Sequence, residues 1–299
     1  MKKIACVGEV MLELVTGANG AATLGVAGDT YNTAVYLARA LRGSDISVSY
    51  VTALGTDPYS EQILIEIRNH GLKTDCIERR EDAIPGLYAI TTDDQGERSF
   101  SYWRSASAAR TLFSAPCKID LARLDEFDLI LLSGISMAIL PQDIREQLMA
   151  WLDKFKAEGG TFVYDSNHRP RLWENAAEAR RINDAMWARA DIALPSVDDE
   201  MELYGDTTAK DVVTRLRALG CKQGALKRGS EGPLGLSNST ELAALPAVKK
   251  VIDSTAAGDS FNAGFLAATA LGKTEDEAML AGHQLAAKVI TMRGAIIPE

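Results

Sequence analysis

The sequence predicts an α/β fold whose core is a mostly parallel central sheet. Several short apolar runs look like buried strands, and helical patterns of ten or more residues lie between them. Such alternation is typical of β-α-β units. The chain has 299 residues, of which 46% are apolar and 24% are charged, so it is long enough to bury a substantial core.

The predicted strands are spread along most of the chain: IACVG (4–8), SVSYVTAL (47–54), DLILLSG (128–134), TFVYD (161–165), DIALP (191–195) and QGALKRG (223–229). The helical patterns include residues 30–41, 143–160 and 211–220. Gly43, Gly159 and Gly220 lie at the ends of these patterns, where glycine commonly caps a helix. Open parallel sheets bind ligands at the carboxyl ends of their strands, so we expect functional residues just after these runs.

One segment departs from this pattern. Residues 85–104, PGLYAITTDDQGERSFSYWR, alternate like a β-hairpin around a DDQG turn. Together with the polar, glycine-rich segment 17–28, the hairpin predicts a small sheet that stands off the main domain. We therefore predict one domain over residues 1–299, with a lid formed approximately by residues 10–30 and 85–105.

Charge and composition limit the classes of partner. The formal net charge of -9 argues against nucleic acid or an anionic membrane, but it leaves room for a small anionic ligand in a local cationic pocket. Glu9 and Glu13 interrupt the apolar N-terminal stretch, which predicts a first strand there and no signal peptide. No segment approaches the roughly 20 apolar residues that span a bilayer.

The cysteines predict no metal site. They are far apart and have no paired metal-ligand spacing, which fits reduced thiols in a cytoplasmic protein: Cys6, Cys76, Cys117 and Cys221.

The stretch VIDSTAAGDSFNAGFLAATA (251–270) places small residues before an almost wholly apolar helix. The N–H groups at a helix N-terminus attract phosphate, and the turn Ala256-Ala257-Gly258 leaves the backbone accessible. Asp259 lies in the first helical turn, where we expect the helix terminus to favour its ionised form. From the motif alone, Asp259 could equally be an acid that only complements the helix dipole.

Two further stretches carry basic residues just after predicted strands. In DSNHRPRLW (165–173), Pro170 holds Arg169 extended, where its guanidinium could reach a phosphate or an acidic substrate. The alternative is a surface loop with a salt bridge. KRGSEGP (227–233) could receive nucleotide phosphates, or it could be an ordinary basic β-turn.

The stretch DSTAAGDSFNAGFLA resembles the second signature of the ribokinase-like carbohydrate kinases, the phosphofructokinase B family, written D-T-x-A-G-D-x-F. The resemblance extends from GEVMLEL near the start to RGAIIP near the end. It implies a ribokinase-like fold, with helices on both faces of the central sheet and a small β-sheet lid. It also implies that Asp259 is the general base, and that Ala256, Ala257 and Gly258 form an anion hole for the transferred phosphoryl group.

Within this family the chain is most similar to the 2-keto-3-deoxygluconate kinases, in stretches that include GDTYNTAVYLAR (28–39) and LSGISMAIL (132–140). This implies ATP-dependent phosphorylation of the 6-hydroxyl of 2-keto-3-deoxy-D-gluconate, with ATP and Mg²⁺. The alternatives are a fructokinase or another sugar kinase of the family, and a sugar-acid sensor without catalysis. The stereochemistry of the sugar acid, the nucleotide preference and the oligomeric state stay open, with a homo-oligomer among the alternatives.

The resemblance also implies binding residues. For the sugar acid they are Gly28, Asp29, Asn32, Tyr88, Tyr102, Arg104, Arg169 and Asp259. For the nucleotide they are Asn167, Arg169, Lys227, Arg228, Gly229, Gly232 and Gly258. No direct metal ligand is implied, and Glu200 in VDDE would meet magnesium through water. Without the resemblance, the hairpin carrying Tyr102 and Arg104 is better interpreted as amphipathic strands packed on the domain below.

Overall fold

The computed structural model describes residues 2–16, 21–92, 98–239, 241, 242, 245, 248 and 250–299. The strands in this part of the chain are β1 (Lys3–Val7), β2 (Met11–Thr16), β3 (Ala22–Ala27), β4 (Ser47–Gly55), β5 (Ile77–Arg80), β6 (Gly86–Thr92), β7 (Arg98–Trp103), β8 (Leu129–Ser133), β9 (Thr161–Asp165), β10 (Ile192–Ala193), β11 (Ala225–Leu226) and β12 (Leu234–Gly235).

The α-helices lie between the strands and after them. They are α1 (Asp29–Ala40), α2 (Pro58–Asn69), α3 (Gly134–Ile139), α4 (Gln142–Ala157), α5 (Ala176–Trp187), α6 (Val197–Tyr204), α7 (Ala209–Ala218), α8 (Ala257–Ala270) and α9 (Glu275–Val289). Among the described helices, none is both long and apolar enough to cross a membrane.

Six parallel strands form the central sheet, in the spatial order β10-β9-β8-β1-β4-β5. Its middle strand, β1, shows why the apolar runs identify the buried strands. Ala5 and Val7 of β1 pack into one core cluster, and Ile4 and Cys6 pack into another. Successive side chains of a strand point to opposite faces, so both faces of this sheet are covered by apolar residues.

Helices cover both faces, as the resemblance implies. Residues of α4, α5 and α7 pack on one face, and residues of α1, α2, α8 and α9 pack on the other. The predicted α/β fold is therefore confirmed. The predicted glycine caps are confirmed too, because Gly43, Gly159 and Gly220 follow their helices with left-handed backbones, at φ of 86°, 97° and 105°.

Two glycines let α8 and α9 approach each other closely. A Cβ at Gly264 would lie 2.6 Å from the backbone oxygen of Ala281, and a Cβ at Gly282 would lie 2.7 Å from the backbone oxygen of Phe261. Larger residues would force the helices apart. This contact fixes the position of α8, whose N-terminus carries Asp259.

A separate four-stranded sheet has the order β3-β2-β6-β7. The predicted hairpin is confirmed, since β6 and β7 pair antiparallel and bring Tyr88 opposite Tyr102. The predicted segment 17–28 contributes β3, while residues 17–20 and the DDQG turn lie outside the described residues. β2, which lies within the predicted lid segment 10–30, pairs with both β3 and β6.

The N-terminal stretch that predicts one first strand forms two. The chain leaves the central sheet after β1 and enters the small sheet at Met11, so Gly8, Glu9 and Val10 connect the two sheets. The last predicted strand is also shorter than expected. Only β11 forms there, and single bridges, such as the one between Ser196 and Lys227, attach this region to the edge of the central sheet.

Candidate active site

A cavity of about 1470 Å³ opens between the carboxyl ends of the central strands and the four-stranded sheet. Its walls come from the loops after β9, β10 and β11, from the N-termini of α1 and α8, and from β6 and β7. Most of the residues that the sequence singles out line this cavity: Gly28, Asp29, Asn32, Tyr88, Tyr102, Arg104, Asn167, Arg169, Lys227, Ala256, Ala257, Gly258 and Asp259.

The N-terminus of α8 forms the floor of the cavity. Ala256 precedes the helix with a left-handed backbone, at φ 60° and ψ 17°, and no side chain caps the helix. The amide of Ala257 donates to the Ser254 carbonyl at 3.2 Å. Within the part of the chain that the structure describes, the amides of Gly258 and Asp259 donate to no acceptor outside the helix. These two N–H groups are therefore the ones available to bind an anion.

The carboxylate of Asp259 is held against α1. Its Oδ2 accepts from Nδ2 of Asn32 at 2.8 Å, and its backbone oxygen accepts from Oγ1 of Thr33 at 3.2 Å. Burial raises the pKa of Asp259 to about 7, and the nearby Asp29 adds to this rise. The prediction that the helix terminus favours the ionised form is therefore wrong, because loss of water and a neighbouring acid outweigh the helix dipole.

A raised pKa suits proton transfer. A general base is most effective when its pKa lies near the working pH, and about 7 meets that condition. Asp29, the first residue of α1, is itself held in place, because its Oδ2 accepts from Nδ2 of Asn167 at 3.0 Å. Gly28, the residue before Asp29, lets the start of α1 pack closely on the β1–β2 connection, because a Cβ at Gly28 would lie 2.2 Å from the carbonyl oxygen of Glu9.

Lys227 lies beneath the α8 N-terminus. Its Nζ donates to Oδ2 of Asp165 at 2.6 Å and to Oδ1 of Asn262 at 3.1 Å. Nδ2 of Asn262 also donates to Oδ2 of Asp165, at 2.6 Å, so the three side chains form a closed network. A Cβ at Gly258 would lie 3.6 Å from Nζ, which places the ammonium beside the available amides.

Neither Asp165 nor Asn262 was assigned a role from the sequence. Asp165 ends β9, where a functional residue is expected, and Asn262 follows Asp259 by three residues, one helical turn along α8. Those two positions are the features of the sequence that could have identified these residues. That both side chains meet Lys227, which is distant in the sequence, is visible only in the structure.

Arginines form one wall of the cavity. Arg169 is extended before Pro170, at φ -133° and ψ 94°, as the sequence predicts. Its side chain is 50% exposed and lies 3.6 Å from Asp199. Arg171, two residues further on, also lines the cavity and is exposed, although it is not among the residues that the sequence analysis predicts. This wall can therefore bind an anionic group.

The four-stranded sheet contributes aromatic rings and one arginine. The rings of Tyr88 and Tyr102 are stacked, with centroids 5.9 Å apart, and the hydroxyl of Tyr88 donates to Oε2 of Glu13. Arg104 lines the cavity, but its Nη2 donates to Oε2 of the buried Glu9. This pairing, which no sequence pattern indicates, makes Arg104 a partly engaged cation and not a free one.

Three predicted nucleotide contacts do not line the cavity: Arg228, Gly229 and Gly232. Nε of Arg228 donates to the carbonyl of Gly232 at 3.0 Å, and its Nη1 lies 2.9 Å from Glu241. The guanidinium of Arg228 is therefore bound by its own turn and by Glu241, and not directed into the cavity. The interpretation of this stretch as a basic turn fits Arg228, whereas Lys227 extends into the cavity.

Glu200 is also placed differently from the expectation. It is fully buried and forms an ion pair with Arg215 at 2.9 Å, outside the cavity lining. Three other acids of α6 line the cavity: Asp198, Asp199 and Glu202. Oxygen ligands of this kind fit Mg²⁺, which commonly keeps several waters and binds one or two carboxylates beside phosphates.

Comparisons with known proteins agree with this architecture. The profile described as pfkB family carbohydrate kinase matches residues 1–299. Two proteins named 2-dehydro-3-deoxygluconokinase, from Dickeya dadantii and Escherichia coli strain K12, are each 43% identical to this chain. The alignments cover 99% of this chain and 97% of the first protein, and 100% of this chain and 98% of the second.

A solved structure shows the same fold. The aminoimidazole riboside kinase from Salmonella enterica, complexed with aminoimidazole riboside and an ATP analog, matches with a TM-score of 0.82 at 22% identity. The match covers 98% of this chain and 95% of that chain.

The electrostatic coupling between Asp29 and Asp259 gives a testable prediction. Asp29 raises the pKa of Asp259, so Asp29→Asn should lower that pKa from about 7, by about one unit. The measurement is an NMR titration of the Asp259 carboxyl carbon. Glu146→Gln, an exposed change of the same charge, should leave the titration unchanged. An unaltered midpoint in Asp29→Asn would show that Asp29 does not contribute to the raised pKa.

Proposed function

This chain belongs to the pfkB family of carbohydrate kinases, and we propose that it transfers the γ-phosphoryl group of ATP to the 6-hydroxyl of 2-dehydro-3-deoxy-D-gluconate, also called 2-keto-3-deoxygluconate. The observation that carries the proposal is the grouping of Asp259, two available amides and Lys227 at the N-terminus of α8. The two 2-dehydro-3-deoxygluconokinases that are 43% identical over nearly the full length support the choice of substrate.

Phosphoryl transfer chiefly needs positioning and stabilisation of charge. The amides of Gly258 and Asp259 bind the transferring group, and the ammonium of Lys227 adds positive charge beside them. The 6-oxygen forms a bond to the γ-phosphorus while the bond from that phosphorus to the β–γ bridging oxygen breaks, and ADP leaves. The proton of the 6-hydroxyl passes to the carboxylate of Asp259.

The residues around Asp259 prepare it for this step. Asn32 fixes the orientation of the carboxylate through its hydrogen bond to Oδ2. In a loose transition state the hydroxyl loses its proton late, so a base with a pKa of about 7 is sufficient. Magnesium, when bound with ATP, neutralises phosphate charge, and the carboxylates of Asp198, Asp199 and Glu202 would hold it through water.

The carboxylate of the sugar acid requires a cation, because burying that charge unpaired would be costly. Arg104, Arg169 and Arg171 line the cavity and are the candidates. Arg104 is the first choice, because Arg169 lies near the acids of α6 that would face the phosphates. In the alternative, a kinase for a neutral sugar such as fructose, Glu9 would be the charge partner of Arg104 and the substrate would bring no second acceptor of negative charge.

Asp259→Asn tests the role of the base. It removes the proton acceptor and keeps the shape, so kcat should fall by about 10²–10⁴-fold while ATP and sugar-acid binding change little. Asp276→Asn is the matched control, because Asp276 is an exposed acid in the first turn of α9 and only complements that helix dipole. Steady-state kinetics and calorimetric binding measure both. Near-full kcat in Asp259→Asn would show that Asp259 is only a dipole residue.

Arg104→Leu tests the recognition of the acid. Loss of the charge-assisted hydrogen bond between Arg104 and the substrate carboxylate should raise the activation free energy that corresponds to kcat/KM by about 2–5 kcal/mol for 2-keto-3-deoxygluconate, and by much less for any activity on fructose. Arg68→Leu, at the exposed end of α2, is the control for loss of a surface arginine. Equal losses on both substrates would assign Arg104 to structure and leave Arg169 and Arg171 as the candidate partners of the carboxylate, with Arg169 to be tested first.

A further inference from the structure

Two charged residues lie where the chain passes between the two sheets. Glu9 lies in the connection from β1 to β2, and Arg104 directly follows β7. Nη2 of Arg104 donates to Oε2 of Glu9, and the side chains are only 9% and 1% exposed. This buried pair therefore links two crossings between the sheets. At Glu9 the chain leaves the central sheet after β1, and at Arg104 it leaves the four-stranded sheet after β7.

The backbone of a third segment fixes the position of the pair. Gly86 begins β6, and a Cβ there would lie 2.8 Å from Oε1 of Glu9 and 3.1 Å from Cβ of Arg104. Any side chain at this position would push against the carboxylate. The absence of a side chain at Gly86 thus lets the pair pack directly on β6.

Only one member of the pair lines the cavity. Arg104 does so, whereas Glu9 lies behind it. A guanidinium has five N–H donors, and Glu9 takes one of them in a described hydrogen bond. Nε of Arg104 and Oε1 of Glu9 are buried without a hydrogen-bond partner among the described residues. Because Nε is buried, the donors that Arg104 keeps for a second acceptor are the remaining N–H groups of Nη1 and Nη2.

The charge of Glu9 depends on its surroundings, which include Arg104. Burial raises the pKa of Glu9, and the positive charge of Arg104 opposes that rise. A planar guanidinium that is already oriented loses less conformational freedom when it binds a carboxylate than a freely rotating one does.

We propose that Glu9 is a positioning residue: it holds the guanidinium of Arg104 at the cavity wall, oriented to bind the carboxylate of the substrate. This rests on the proposed function. Glu9 itself does not contact the substrate, and it acts through Arg104. It sets how well the acid is bound, and it leaves the phosphoryl-transfer step at Asp259 unaffected.

The test compares Glu9→Asp and Glu9→Ala, each alone and combined with Arg104→Leu. Glu9→Asp keeps the charge and withdraws the carboxylate by one methylene, so it preserves the fold if Glu9→Ala does not. We expect KM for 2-keto-3-deoxygluconate to rise about fivefold in Glu9→Asp and at least about tenfold in Glu9→Ala. The values of kcat and of KM for ATP should change less than about threefold.

The combined variants separate positioning from a general structural role. Once Arg104 is leucine, the Glu9 substitutions should change KM for the acid by less than about twofold, because Glu9 has lost the group through which it acts. Glu146→Asp, an exposed change of the same chemistry, should have no effect on any of these constants.

The outcomes distinguish the two proposals. If the wild-type protein does not phosphorylate the acid, the proposed function is wrong, and so is the positioning role that rests on it. With an active wild type, a KM for the acid within twofold of wild type in both Glu9 variants overturns the positioning role alone. The same result follows if the Glu9 substitutions raise KM equally in the Arg104→Leu background, or if KM for ATP rises together with KM for the acid.

Discussion

The charges gathered at the N-terminus of α8 are the constraint on which the rest of the site depends. Burial raises the pKa of Asp259 there, Asp29 and Asp165 add to the rise, and Lys227 is the nearby cation that opposes it. Lys227 is in turn tied to Asp165 and Asn262. An acid so placed can take a proton at neutral pH, while the adjacent amides and ammonium favour negative charge. The proton is thus taken up at Asp259, whereas the phosphate is favoured beside the amides of α8 and the ammonium of Lys227.

This arrangement requires α8 to be held in a fixed position. Gly264 and Gly282 let α8 pack closely on α9, and Thr33 ties the first turn of α8 to α1. The opposite wall comes from the four-stranded sheet, which is joined to the central sheet by the buried Glu9–Arg104 pair. In the proposed mechanism, phosphoryl transfer therefore depends on the central sheet and its helices, and recognition of the acid depends on the junction between the two sheets.

The fold could be predicted largely from the sequence, because strands buried on both faces appear as apolar runs and the hairpin alternates. The division between β1 and β2 could not, since one apolar stretch serves two sheets. Within the site, positions after strands were predictable, but side-chain partners were not. Arg228 pairs with Glu241 and Glu200 pairs with Arg215, and both contacts depend on how the chain folds beyond each local motif. The pKa of Asp259 likewise depends on burial and on Asp29, which is distant in sequence.

The most direct test is the product formed by the wild-type protein from ATP, magnesium and 2-keto-3-deoxygluconate. A coupled assay would follow ADP release, and ³¹P NMR would locate the phosphate through its coupling to the protons on the esterified carbon. If the protein is the proposed kinase, we expect one ADP per acid consumed, a phosphomonoester at the 6-position, and a much lower rate with fructose. ADP release that does not need the acid, a preference for fructose, or phosphate on another hydroxyl would contradict it.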